Sequence, residues 1–298
     1  MKSIRLATRK SNLALWQANR VKFLLETKLK IKSVELVLVS TKGDASATVP
    51  ISQVKGQGIF VGEVRDAVLN LDADLCVHSA KDLPSTDHEK LLTRFVERED
   101  PRDCLVGLNL KELKKGATVR TGSARRKVQL GSMVEGLNFE DLRGNIETRL
   151  AKIPEGGAIV MAVAAIKRLK LDSDKNVKFF PMDLSEMVPQ VGQGAIAVES
   201  LRSNADLAQI VDQLSNPILD YELRAERMFL SSIGGGCEAA VGAFVKRAKD
   251  QNSYLSTAFI GDESTFDTKR IEVLSLDEEE PQSFGKRVAD MLLSKFKI

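Results

Sequence analysis

Leu75-Cys76-Val77 is a short apolar run, and His78-Ser79-Ala80-Lys81-Asp82 follows it without a break. Such a run, too short for a helix, reads as a buried strand, and the polar residues after it mark where the strand ends. Upstream, Ile4-Arg5-Leu6-Ala7 is strand-like, and Val34 to Val39 reads as a second strand. Between them Ser11 can cap a helix whose Ala14, Ala18, Val21 and Leu25 fall on one face. Val61, Val64 and Val68 carry helical spacing up to the Leu75 run. Strand and helix therefore alternate over the first hundred residues, which predicts a mostly parallel sheet. The stretch Gly43 to Phe60 differs from both neighbours, being rich in small, polar and glycine residues, and is expected to be a mobile lid.

The alternation recurs downstream without a repeat in the sequence itself. Strands are predicted at Cys104 to Val106, Ala117 to Arg120, Asn138 to Leu142 and Ala158 to Met161, with helices starting near Ser123, Asn145 and Ala162. From about Asn216 the pattern changes. A helix over Asp220 to Ile233 meets Gly234-Gly235-Gly236, strands follow at Val241 to Val245, Tyr254 to Ile260 and Arg270 to Leu274, and a helix over Ser283 to Lys295 closes a small α+β domain. A chain of 298 residues accommodates two or three such domains.

Composition excludes several classes. Forty-four Lys and Arg against 41 Asp and Glu leave a formal charge of +3, too little for a general pull toward nucleic acid or an anionic membrane. No apolar run approaches the ~20 residues that span a bilayer, and Met1-Lys2-Ser3-Ile4-Arg5 lacks the apolar core of a signal peptide, so the expected address is the cytoplasm. Cys76, Cys104 and Cys237 show no C-x-x-C spacing, and only His78 and His88 accompany them, which argues against a disulfide framework or a Cys/His zinc site. Gly56-Gln57-Gly58 and Gly192-Gln193-Gly194 are too short to be nucleotide fingerprints.

The basic residues follow the predicted strands. Arg9, Lys81, Arg125 with Arg126, Arg143 and Arg168 each lie beyond the end of one. Ligands of open α/β sheets bind outside the carboxyl ends of the strands, so these cations stand where a ligand would be. Thr121-Gly122-Ser123 and Gly144-Asn145 add helix-start N–H groups beside arginines, which suits carboxylate or phosphate. Each position alone reads more readily as an ordinary surface arginine; the set at equivalent places is harder to dismiss. Asp82 could stabilise a developing cation or move a proton, or could simply pair with Lys81 at the surface. Cys237 follows three glycines, which leave its sulfur accessible, yet no local cation or helix N-terminus activates it, and a structural cysteine is the plainer reading of these residues.

Seven blocks in order closely resemble the porphobilinogen deaminase family, also called hydroxymethylbilane synthases. They are Ala7-Thr8-Arg9-Lys10-Ser11, His78-Ser79-Ala80-Lys81-Asp82-Leu83-Pro84, Glu97-Arg98-Glu99-Asp100-Pro101-Arg102-Asp103, Ser123-Ala124-Arg125-Arg126, Leu142-Arg143-Gly144-Asn145, Val191-Gly192-Gln193-Gly194-Ala195 and Gly235-Gly236-Cys237. Together they cover nearly the whole chain.

The resemblance implies an α/β fold of two lobes like those of type II periplasmic binding proteins, plus a small C-terminal α+β domain. Domain 1 would span 1–98 and 195–214, domain 2 99–194 and domain 3 215–298. It implies a transferase that condenses four porphobilinogen molecules head to tail, releasing ammonia and giving the linear tetrapyrrole hydroxymethylbilane. A dipyrromethane cofactor would be held by a thioether to Cys237, with Lys81, Ser123, Arg125, Arg126 and Arg143 as its contacts. Arg9, Ser11, Arg149 and Arg168 would bind substrate carboxylates, and Asp82 would be catalytic, stabilising positive charge on a pyrrole nitrogen. No metal, nucleic acid or membrane is implied, and a monomer is expected. Gln57, Arg120, Gly122 and Ala240 depart from the family pattern, which puts lid electrostatics and local loop geometry in question. Two other classes fit part of the pattern. A two-lobed sensor of a small polyanion would explain the arginines but not the glycine-flanked thiol, and a thiol-dependent hydrolase would need a histidine beside Cys237.

Overall fold

The computed structural model describes residues 3–41, 61–173, 177–234, 239–250 and 252–295. The expected lid from Gly43 to Phe60, with Gln57, and the loop Gly235-Gly236-Cys237 lie outside the described residues. The chain first forms β1 (Ser3–Arg9), α1 (Asn12–Thr27), β2 (Ser33–Val39), α2 (Gly62–Leu69), β3 (Leu75–Ser79) and β4 (Leu91–Arg98). Next come β5 (Asp103–Gly107), β6 (Thr118–Arg120), α3 (Ala124–Met133), β7 (Asn138–Glu140), α4 (Ile146–Leu150), β8 (Ala158–Ala162), α5 (Val163–Arg168) and β9 (Phe179–Pro181). It ends with β10 (Ala195–Leu201), α6 (Ala205–Leu214), α7 (Pro217–Ile233), β11 (Val241–Arg247), β12 (Tyr254–Gly261), β13 (Thr268–Leu274) and α8 (Pro281–Lys295). These elements build two compact units, residues 1–99 with 195–221 and residues 100–194 with 222–298.

In the first unit the strand order is β2-β1-β3-β10-β4. β1 runs parallel to β2 and β3, whereas β10 is antiparallel to both of its neighbours. Successive side chains of a strand point to opposite faces, and here both faces are apolar. Ile4, Leu6, Leu75 and Val77 pack with Ala18, Val21 and Leu25 of α1 and with Leu207 and Val211 of α6. Ala7 and Cys76 face the other way, onto Val64 and Val68 of α2. Helices on both faces explain why the β3 run is apolar throughout rather than alternating.

The second unit repeats this plan with the order β7-β6-β8-β5-β9. Equating β6, β7, β8, β5 and β9 with β1, β2, β3, β10 and β4 reproduces every pairing direction. Four strands are parallel and the penultimate one is reversed, the arrangement of a type II periplasmic-binding-protein lobe. Both sheets are thus mostly parallel, as expected; β4, β9, β10 and α6 are elements that periodicity did not reveal. β7 stops at Glu140, short of the expected Leu142.

The same unit carries the C-terminal antiparallel sheet β11-β12-β13, with α8 packed on β12 and β13. Phe259 of β12 joins Val128 of α3, Val188 and Ala240 in one cluster. Gly242 of β11 is required there, because a Cβ at that position would stand 2.6 Å from the Pro189 carbonyl oxygen and 3.1 Å from Arg125 Cδ.

Candidate active site

In the first unit the register Ala7↔Cys76 sets the ends of β1 and β3 side by side. Arg9 closes β1, and Ser11 is the N-cap of α1, its side chain accepting from the Ala14 N–H at 3.4 Å. Lys81 and Asp82 sit on a 3-10 turn, Ala80–Asp82, immediately after β3. The buried Ala80 and Leu83 pin the turn down, and both polar side chains are half-buried. Among the described residues none donates a hydrogen bond to the Asp82 carboxylate. Arg9, Ser11, Lys81 and Asp82, 73 positions apart at most, are thus gathered at one sheet edge.

Behind this edge lies a polar cluster that sequence reasoning missed. Glu199 of β10 is fully buried and takes two bonds of 2.7 Å from Arg65 and one of 2.7 Å from the Thr93 hydroxyl. His78 Nε2 lies 3.2 Å from its Oε2 and 3.2 Å from Cys76 Sγ. Burial alone would raise the Glu199 pKa, but Arg65 and His78 outweigh it and hold the carboxyl well below the usual range. Burial, then the Glu199 charge, pushes the Cys76 thiol well up.

In the second unit the basic residues follow the parallel strands β6, β7 and β8. Ser123 is the N-cap of α3, and Arg125 and Arg126 lie in that helix's first turn. Two cations at the positive end of a helix dipole are unfavourable unless anions meet them. Asp103, 0% exposed at the start of β5, is the anion within the chain. Its Oδ1 accepts from Arg126 Nη2 at 2.6 Å and Nε at 3.0 Å, and from Gln193 at 3.0 Å. Arg125 Nη1 stands 2.8 Å from Oδ2 and donates to the Val188 carbonyl at 2.6 Å. The contact to Oδ2 is an ion pair without hydrogen-bond alignment, and Oδ2 has no other partner among the described residues. Burial would raise the Asp103 pKa, yet Arg125 and Arg126 hold it well below the carboxylate range, while burial lowers that of Arg125. Two guanidinium groups share one carboxylate, leaving one positive charge over, and Arg125 Nε has no hydrogen-bond partner among the described residues.

Gly144 turns the chain after β7 at φ +109°, and Asn145 caps α4 by accepting from the Thr148 N–H at 2.8 Å. Arg143 precedes this turn and Arg149 follows it, donating to the Gly144 carbonyl at 2.8 Å. Arg168, buried at the end of α5, donates to the Gly194 carbonyl at 2.7 Å. Ser123, Arg125, Arg126, Arg143 and Arg149 therefore cluster at the carboxyl edge of their sheet, and Arg168 lies farther along its helix. Arg120 is accounted for by its bond to Glu140, directly opposite on β7, at 2.7 Å. At Gly122 an added Cβ would meet only the Leu142 carbonyl, at 3.7 Å, so serine would fit. The departure at Ala240 is absorbed by the Val128 and Phe259 cluster. Asp103 and Gln193 have no role in the sequence-based expectations; an aspartate opening an apolar strand, in a chain with paired arginines, is the available signal.

These features define an α/β protein whose lobes are of the periplasmic-binding type, with cations concentrated at the ligand-binding edges of their sheets. A further relationship narrows the class. Residues 4–209 match the model of the porphobilinogen deaminase dipyrromethane cofactor binding domain, and residues 221–294 match that of the porphobilinogen deaminase C-terminal domain. The porphobilinogen deaminase of Geotalea uraniireducens is 40% identical over 256 residues, 84% of this chain and 80% of that one. Those of Desulfitobacterium hafniense and Francisella tularensis subsp. novicida are each 36% identical over 99% of this chain and cover 95% and 97% of their own lengths. The chain belongs to the porphobilinogen deaminase family. It is a transferase of tetrapyrrole biosynthesis and contains the domain that binds the dipyrromethane cofactor. Membership sets aside the sensor and hydrolase alternatives. Among the described residues no helix is long and apolar enough to cross a membrane.

Proposed function

We propose that the chain condenses four porphobilinogen molecules into hydroxymethylbilane, with its primer attached to Cys237. The observation that carries this reading is the pair Arg125 and Arg126 on a single buried carboxylate. The leftover positive charge and the unpaired Arg125 Nε fit a ligand bearing acetate and propionate groups. The thiols point the same way. Cys76 and Cys104 are 0% exposed, and burial raises both pKa values, that of Cys104 to about 12, so neither is a nucleophile at neutral pH. Cys237 is the remaining thiol.

In this reading Lys81, Ser123, Arg125, Arg126 and Arg143 hold the carboxylates of the cofactor, and Arg9, Ser11, Arg149 and Arg168 those of the incoming substrate. When bound, the dipyrromethane supplies the nucleophilic pyrrole carbon and the tether for the growing chain. The Asp82 carboxylate stabilises positive charge on pyrrole nitrogen and moves protons to and from the reacting ring. The functional division is 1–98 with 195–214, 99–194, and 215–298, and the enzyme works as a cytoplasmic monomer.

The test is the intact mass of freshly purified enzyme. It is expected to exceed the sequence mass by one dipyrromethane, and Cys237→Ser is expected to lack the increment. Active enzyme at the bare sequence mass overturns the reading.

A further inference from the structure

We propose that Cys76, His78 and Glu199 form a binding site for a thiophilic d10 cation, Cu+ or Zn2+, inside the first unit. Cys76 and His78 are two residues apart on β3 and so share a face, and Glu199 is paired with Cys76 across the β3–β10 ladder. The donor atoms form a closed triangle. Sγ to Nε2 is 3.2 Å, Nε2 to Oε2 is 3.2 Å, and Sγ to Oε2 is 3.8 Å. An ion bonded tetrahedrally to sulfur at about 2.3 Å, and to nitrogen and oxygen at about 2.0 Å, spaces its ligands about 3.3 to 3.6 Å apart. The triangle is close to one face of that tetrahedron before any side chain moves.

The surroundings are those of a ligand set. Cys76 and Glu199 are 0% exposed and His78 5%, so water competes little. Thr93 and Arg65 Nη2 both donate at 2.7 Å to the far oxygen, Oε1, and Arg65 Nε donates at 2.7 Å to Oε2, so the carboxylate's orientation is fixed and Oε2 would share its lone pairs between Arg65 and the ion. Thiolate and imidazole together select soft and borderline ions. Counting cysteines and histidines along the chain argued against a metal because the third donor comes 123 residues after Cys76.

Charge orders the two ions. Arg65 and Glu199 cancel, and an ion that binds Sγ displaces the thiol proton to solvent. His78 then binds through Nε2 and carries its proton on Nδ1. Cu+ with the thiolate leaves the cluster neutral. Zn2+ leaves one positive charge beside Arg65. An uncompensated buried charge is costly, so Cu+ binds the more tightly.

The experiment uses full-length, cofactor-bearing enzyme. In one arm it is equilibrated anaerobically with Cu+ buffered by a chromogenic chelator, and in the other with Zn2+. Metal per chain is measured after desalting, and Co2+ serves as an absorption probe for a thiolate ligand. One ion per chain is expected, with Cu+ held more tightly than Zn2+ and a thiolate-to-cobalt charge-transfer band. Cys76→Ser and, independently, His78→Gln are expected to abolish retention. Thr93→Val should weaken binding by about 10- to 100-fold. Cys104→Ser is expected to bind as the parent does. No retained ion in the parent, or retention undiminished in Cys76→Ser or His78→Gln, overturns the site. Zn2+ binding as tightly as Cu+ overturns the charge ordering.

Discussion

Asp103 and Arg126 are joined through a single oxygen: Oδ1 accepts from both Nη2 and Nε, at 2.6 and 3.0 Å, with neither residue more than 8% exposed. Arg125 leans on the other oxygen of the same carboxylate. Removing one member of a buried ion pair typically costs about 3–5 kcal/mol, because the partner's charge stays behind. Asp103→Asn is therefore expected to lower unfolding stability by about that amount in urea titrations. A loss below ~1 kcal/mol would show that the arginines find other partners.

Acid stability follows from the same kind of contact. Asp103 and Glu199 have folded pKa values below their unfolded values of about 3.9 and 4.3. Between the two values the unfolded chain binds more protons, so this stability is fully present above about pH 4.5 and drains away as pH falls through the folded values. Melting temperature should be level near pH 6 and drop below about pH 4. Glu199→Gln is expected to start less stable and to show a shallower acid fall. An equal slope in parent and variant would remove Glu199 from the acid transition.

Asp82→Ala separates chemistry from folding. The side chain is half-buried and accepts no hydrogen bond from the described residues, so stability is expected to change by no more than about 0.5 kcal/mol. The variant should keep its cofactor mass and lose nearly all turnover. Undiminished turnover would exclude Asp82 from the reaction.

Alkylation distinguishes the sulfurs. Native enzyme treated with iodoacetamide at neutral pH is expected to remain unlabelled at Cys76 and Cys104 and to be labelled at both in urea, read by peptide mass. Rapid native labelling of either would contradict their burial.

Gly242→Ala tests how closely β11 approaches Arg125. Its methyl group would stand 2.6 Å from the Pro189 oxygen, 3.0 Å from that of Val188 and 3.1 Å from Arg125 Cδ. Overpacking of this kind costs about 1–3 kcal/mol. Because Arg125 and the Val188 carbonyl that accepts from it are among the crowded groups, a smaller share of cofactor-bearing enzyme by intact mass is expected alongside the lower stability. Full cofactor occupancy would mean that the guanidinium keeps its place.

Much of the first unit was legible because Leu75-Cys76-Val77 and Val61, Val64, Val68 carry undiluted strand and helix signals. Ser11, Ser123 and Asn145 marked helix starts correctly for the same local reason. β10 escaped notice although six of its seven residues are buried, because Glu199 and Ser200 interrupt its apolar run. That glutamate is tolerable only beside Arg65, and a partner 134 positions away leaves no local trace. β4 was hidden in the same way by Arg94 and Glu97, which pair with Asp212 and Arg20. At the site, residue type and strand-end position picked out the cations, while Asp103, which disciplines two of them, is visible only once β5 is set beside β8.

The reversed strand of the first sheet has a consequence for synthesis. β3 and β4 do not touch as neighbours; β10 lies between them. A nascent chain that has released only its first hundred residues holds the β2-β1-β3 fragment with an unpaired edge and β4 without a partner strand, and the missing piece is still about 100 residues from the ribosomal exit. At typical elongation rates of about 5–20 residues per second, that gap lasts roughly 5–20 s. The lobe that begins first is therefore completed only after the central strands of the other have emerged, and the exposed edges of β3 and β4 are where a chaperone would be needed most.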